Sequence, residues 1–238
     1  MLLSQHNIFF FLSILLCLFT IFSLLFPQHW FIKLLSPLIC PDALYFITTG
    51  KPIIALTIDD SPDANTTPKI LDVLAQYKIL ATFFPISNNI SENKVIIDRI
   101  VNEGHEIGNH LTEDEPSIKL GINFETELNK AHQILSDFTT IKWLRPGSGW
   151  GNKAMVETVR KYDYQIALGS VWSYDTHISS SSFASWFILT NTKSGSIIVL
   201  HDVGKRGERT VATLKKTIPK LKQKGYRFVT LSELKKYS

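Results

Sequence analysis

Two neighbouring acids, Asp59 and Asp60, close the stretch "PIIALTIDDSPD", directly behind a run of apolar and β-branched residues that reads as a buried strand. Adjacent like charges raise each other's pKa and resist desolvation, so such a pair needs a cation nearby or a proton to carry. The competing reading is a turn, for which Asp, Ser and Pro are the usual residues. Further groups suited to hydrolytic chemistry recur at the ends of later apolar runs: His110, Arg145, Trp172 with Asp175, and His201 with Asp202. Carboxylates and imidazoles can hold a divalent ion, take a proton from water and return one to a leaving group. Other histidines look ordinary, His132 among them, in mid-helix as a surface or half-buried side chain.

The elements that must position these groups alternate in type. Strand candidates are "IIALTI", "ATFFPI", "HEIGNH", "KWLRP", "YQIALGSV", "SIIVLHD" and "RFVTL". Between them lie helical patterns: "TTPKILDVLAQYK", "ENKVIIDRIVNEG", "FETELNKAHQILSDF", "GNKAMVETVRKY" and "GERTVATLKKTIPKLKQKG". A β–α alternation predicts a parallel sheet, open or closed into a barrel, with its chemistry at the carboxyl ends of the strands. The candidate residues fall at those ends.

With 238 residues, 45% of them hydrophobic, the chain can bury a substantial core. Its net charge of +4 is mild and its lysines are scattered, thickening only in the last helical segment, which excludes a nucleic-acid partner as the leading reading. No residue from Ile8 to Phe26 is charged, and that span approaches the ~20 apolar residues that cross a bilayer. A cleaved signal peptide is the rival, but the basic start and small-residue cleavage site expected of one are missing. The organisation expected is a transmembrane anchor over 1–27, a juxtamembrane segment over 28–50 and a folded domain over 51–238. Lys33 alone follows the span closely, and charge bias would argue for a cytoplasmic domain.

From about Ile53 to Leu234 the motifs resemble, in order, those of the polysaccharide deacetylases, the NodB-homology domain of carbohydrate esterase family 4. "TIDDSPD" matches the first motif, and the likeness implies Asp59 as general base and Asp60 as metal ligand. "GHEIGNHLTEDEPS" matches the second, His-Ser/Thr-x-x-His, at His110, with Leu111 in the Ser/Thr position and Asp114 where the second histidine is expected. A carboxylate can replace an imidazole on a divalent ion, so the resemblance implies Asp60, His110 and Asp114 as ligands, to zinc first, with manganese, cobalt or iron admitted by the harder donor set. The alternative is that Glu113, Asp114 and Glu115 form an acidic loop and the metal site is lost. In "RPGSGWGN" the resemblance pairs Arg145 with the catalytic aspartate and gives the Ser148 backbone N–H to the oxyanion, while Trp150 is either a sugar-facing ring or a core or turn residue. "SVWSYDTHI" keeps Trp172 and Asp175 but has Ile178 and Ser179 where a second acid and a second tryptophan are expected, which leaves open what orients the histidine. "IIVLHD" supplies His201 as general acid, with Val199 and Leu200 on the pocket floor.

The resemblance implies a deformed (β/α) barrel of about seven strands, and a metal-dependent hydrolase acting on linear amide C–N bonds. Its substrate would be an N-acetylhexosamine polysaccharide, chitin-like or peptidoglycan, its product acetate, and Ser148, Trp150, Trp172 and Asp175 would meet the sugar. Such glycans place the domain outside the cytoplasm on a single-pass anchor. The rival from another class is a catalytically inactive, membrane-anchored glycan-binding protein.

Overall fold

Every apolar run that leads to a candidate residue contributes a strand in a computed structural model of the chain, which describes residues 5–26 and 29–238. In chain order the strands are β1 (Ile53–Asp59), β2 (Thr82–Phe84), β3 (Glu106–Ile107), β4 (Trp143–Leu144), β5 (Gln165–Ile166), β6 (Val171–Trp172), β7 (Ile197–His201) and β8 (Arg227–Val229). The helices are α1 (Gln5–Leu25), α2 (His29–Ile39), α3 (Thr67–Tyr77), α4 (Lys94–Asn102), α5 (Phe124–Ser136), α6 (Lys153–Arg160), α7 (Ser181–Asn191), α8 (Gly204–Gln223) and α9 (Leu231–Lys235). Strand and helix alternate over most of the domain, and the pairings among these eight strands are parallel, as the pattern predicts.

β1 is the axis. It pairs with β2 and β7 along its carboxyl half and with β8 at its start, with β3 beyond β2 and β6 beyond β7. A bridge from Asn109 to Leu144 joins the β3 side to β4 and β5. Leu44 then pairs with Ala167 and Phe46 with Ser196, which brings the circuit back to β7 and completes the deformed barrel. The packed unit therefore begins before Lys51: Tyr45 and Ile47, within the segment expected to be juxtamembrane, are buried.

The run "YQIALGSV" is not one strand but two. β5 pairs with β4 while β6 pairs with β7, and the break falls at Gly169, whose φ of +128° is left-handed and where a Cβ would stand 2.6 Å from a Val199 methyl carbon. α7 escapes the sequence reading because its segment, "SSFASWFILTN", spreads apolar and small polar residues around the helix and shows no helical stripe.

Alternation along β1 sets up the site. Ile54, Leu56 and Ile58 belong to the larger apolar cluster, whereas Ile53 and Ala55 belong to the second one with Phe84, Trp143 and Ala167. Thr57 and Asp59 share the second face by the two-residue period of a strand, so the barrel interior runs from apolar to polar towards the carboxyl end.

At the amino terminus, α1 presents exposed Phe9, Leu12 and Leu16, and α2 presents Trp30, Leu34 and Leu38 at a spacing of four. Among the described residues no helix is long and apolar enough to cross a membrane.

Candidate active site

The carboxyl ends of β1 and β7 lie side by side, with Asp59 opposite His201 and the Asp202 N–H donating to the Asp59 carbonyl at 2.8 Å. Asp59 and Asp60 then part company. Asp60 takes a left-handed φ of +67°, a conformation that aspartate tolerates better than most residues, and this breaks the pleat between the two acids.

Asp59 points into the barrel, where Arg145 Nη1 donates to its Oδ1 at 2.6 Å. Arg145 is itself buried and fixed from several sides: Nη1 also donates to Thr57 Oγ1 at 2.6 Å, Nε to the Ala167 carbonyl at 2.9 Å, and the guanidinium lies 4.2 Å over the Phe84 ring. Burial pulls the Arg145 pKa down against the pull of Asp59. The pairing fixes the Asp59 carboxylate at the floor of the cleft.

His201 is fixed as firmly. Its Nδ1 donates to Asp175 at 2.9 and 3.1 Å to the two oxygens, and its backbone N–H donates to Asp175 Oδ2 at 3.0 Å. Burial opposes charge on the ring, but the hydrogen bond and charge of Asp175, with Asp59 and Asp60 adding, raise the His201 pKa to about 9. The ring is therefore a cation at neutral pH with Nε2 left for the cleft, the state of a general acid. The resemblance places Asp175 against substrate, but it is buried, held by Ser173 Oγ at 2.8 Å, and spends both oxygens on His201. This supplies the orienting acid that the broken fourth motif leaves open.

The cation side is less complete. His110 Nδ1 donates to the Arg145 carbonyl at 2.6 Å, which fixes the ring and turns Nε2 towards Asp60 Oδ1 at 3.4 Å. Burial opposes charge on His110, and the Asp60 hydrogen bond with the charges of Asp59 and Asp60 outweighs it, raising its pKa. Burial likewise works against the Asp60 carboxylate, and His110, His201 and Arg206 together hold it below the usual range. Asp114 does not join them. The chain turns at Leu111, φ +66°, and the Asp114 side chain, 57% exposed, reaches Arg206 Nη2 at 3.4 Å instead. Arg206 Nη1 contacts Asp60 Oδ2 at 3.1 Å. Among the described residues no three His, Cys, Asp or Glu side chains converge to hold a metal ion. Asp60 and His110 fit a divalent ion as two donors, and the third ligand expected at Asp114 is missing.

These groups line a cleft of ≈ 610 Å³ whose walls include Leu168, Tyr174 and Val199. Ser148, with φ +64°, and Trp172 line it too, and Trp150, 50% exposed, stands at its rim rather than in the core. His105 is a structural histidine, its Nδ1 accepting from the Ala81 N–H at 3.1 Å and its pKa lowered by burial to about 4. His132 is half-buried in α5 against Tyr164 Oη. Sequence reasoning missed Arg206, which lies in a lysine-rich helix that reads as solvated surface. The signal was its place five residues after His201, in the first turn of the helix that follows β7.

Comparison with known proteins gives consistent matches. A family model described as polysaccharide deacetylase matches residues 47–167. A peptidoglycan-N-acetylglucosamine deacetylase of Bacillus cereus is 37% identical over 196 residues, which cover 80% of this chain and 92% of that protein. Among solved structures, a peptidoglycan N-acetylglucosamine deacetylase superposes with a TM-score of 0.76 at 33% identity, covering 81% of this chain and 92% of its own. A family 4 acetyl xylan esterase from Clostridium thermocellum, solved in complex with a cobalt ion, gives 0.68 at 30% identity over 76% of this chain and 89% of its own.

Proposed function

From the premise that this chain belongs to the polysaccharide deacetylase family, we propose that it removes N-acetyl groups from an N-acetylhexosamine glycan, peptidoglycan foremost, and releases acetate. The observation that carries this reading is the facing of two closely bonded pairs across one cleft: Asp59 with Arg145, and His201 with Asp175. An acid bonded to an arginine, facing an imidazole bonded to a second acid, supports hydrolysis over glycan binding alone.

Asp59 takes the proton of the attacking water while Arg145 fixes its carboxylate in place, and His201 gives its Nε2 proton to the departing sugar amine. Asp175 positions that ring and sustains its charge. Ser148 brings its backbone N–H to the developing oxyanion, and Trp150 and Trp172 offer rings to the sugar faces. Asp60 and His110 supply the donors for a divalent ion, zinc, cobalt, manganese or iron, which when bound would polarise the acetyl carbonyl and lower the pKa of water. Peptidoglycan is favoured over chitin-like glycans by the stated activity of the Bacillus relative.

The anchor belongs to this reading as well. It rests on the sequence alone: the uncharged stretch from Ile8 to Phe26 would serve as a single membrane span, with the domain outside the cytoplasm where its glycan lies. Protease added to spheroplasts should digest the domain, and full protection would overturn that topology.

The activity is tested by acetate release from a panel of N-acetylated peptidoglycan, chitooligosaccharide and O-acetylated xylan, with bound metal measured on the same sample. Release from the first and not the last supports the reading. Glycan binding without acetate from any substrate would establish the inactive, membrane-anchored binder instead.

A further inference from the structure

We propose that Arg206 is a resident cation of this site, which competes with a divalent ion for Asp60, and that Asp114 holds Arg206 rather than the ion. The proposal rests on the deacetylase reading above for the identity of the site, and on the placement of three side chains for its content. The guanidinium bridges the two carboxylates, Nη1 at 3.1 Å from Asp60 Oδ2 and Nη2 at 3.4 Å from Asp114 Oδ2. Its planar fork suits two acids at once in a way that a lysine would not. The Asp60 side chain is 2% exposed and its Oδ2 accepts no well-formed hydrogen bond, so this oxygen is the one left for a cation.

The backbone beneath Arg206 is clamped to the end of β1. Asp202 accepts from the Thr66 and Thr67 hydroxyls at 2.5 Å each, and the Gly204 N–H donates to Asp63 Oδ2 at 3.0 Å. The next residue, Gly207, lies so close to Thr66 that a Cβ would come within 2.4 Å of its hydroxyl oxygen. The first turn of α8 is thus pressed onto the loop that follows the two acids, and Arg206 is held above Asp60 by fixed backbone. Only its long side chain, 27% exposed, has room to withdraw.

Charge decides the consequence. Asp60 and Asp114 carry two negative charges and Arg206 returns one, so an arriving divalent ion meets a partly neutralised pair and a like charge at contact distance. The ion binds Asp60 and His110 only as the guanidinium swings out, with Asp114 still attached to it. Asp114 in place of a second histidine then has a reason: an acid meets the arginine with an opposite charge, which a neutral imidazole lacks.

The test is calorimetric titration of Co²⁺ and Zn²⁺ into the whole chain, comparing the unmodified protein with Arg206→Met, Arg206→Ala and Asp114→Ala, each checked for fold by circular dichroism. Arg206→Met, which keeps the aliphatic stem, should bind either ion about tenfold more tightly or better, within the usual 5–150-fold span of a coupling between ligands. Arg206→Ala should do the same. Asp114→Ala should change affinity little, since no ligand is lost. Unchanged affinity in both arginine variants, or no ion bound by any form, would overturn the competition. Loss of binding in Asp114→Ala would show that Asp114 is a ligand and overturn its role as holder. Acetate release is scored separately: an inactive protein whose metal affinity still rises on removing Arg206 would overturn the deacetylase reading and leave this one standing.

Discussion

The two sides of the cleft differ in how tightly their groups are held. On one side, Asp59 with Arg145 and His201 with Asp175 form short hydrogen bonds, each held in turn by backbone or hydroxyl partners. On the other, Asp60 faces His110 at 3.4 Å and an arginine that is itself tied to an exposed acid. A group that moves protons must sit in one place with one pKa, and short hydrogen bonds in a low-dielectric pocket provide that. A group that exchanges cations gains from partners that can leave.

The largest effect is expected where the rigid side is broken outright. Arg145→Met strands the Asp59 charge in the barrel interior, and losing one member of a buried pair costs about 3–5 kcal/mol. The melting temperature should fall well below that of Asp114→Ala, and equal stability of the two variants would mean that the sides do not differ as described. Next comes Asp175→Asn, which leaves His201 in place but removes its counter-charge. The lost turnover should be part of the roughly 100-fold or more that a general acid contributes. The pH profile should move with it: His201 must be protonated to donate, so activity falls as pH rises through about 9, and in the variant that limb should retreat towards the ordinary 6.5. An unmoved limb would remove His201 from the acid's role.

Stability should follow the same residue more gently. The folded-state pKa of His201 lies above its unfolded value, so its contribution is full below pH 6.5 and is lost as pH rises through about 9. Urea midpoints should decline across that window in the unmodified protein and less in Asp175→Asn. The smallest effect is expected at the rim, where Trp150→Ala should raise KM severalfold with kcat unchanged, the mark of a ring that binds ground state and transition state alike.

The difference between the two sides also governs what the sequence could reveal. β1, its two acids and the strand-end positions of His110, Arg145 and His201 were legible because an apolar run that breaks off at charged residues marks the point where a buried strand emerges from the core. The left-handed turn at Leu111 was not, and counting four residues from His110 to Asp114 says nothing about the direction in which the loop then carries the side chain. Asp175 was visible but its bond to His201, 26 residues on, was not, since that contact depends on β6 and β7 being neighbours. Arg206 was hidden among lysines, where charge pattern alone reads as solvent-facing surface. α7 and the break at Gly169 escaped because neither leaves a period in the pattern.

The division of labour between the adjacent acids is tested most directly by measuring bound metal and acetate release side by side for Asp59→Asn and Asp60→Asn. Asp59→Asn keeps shape and hydrogen bonding but cannot take a proton, so turnover should fall by roughly 100-fold or more with metal content unchanged. Asp60→Asn should lose metal first and activity as a consequence, with partial recovery in excess metal. Metal lost from Asp59→Asn, or full activity retained in it, would contradict the assignment of the two acids to separate sides of the cleft.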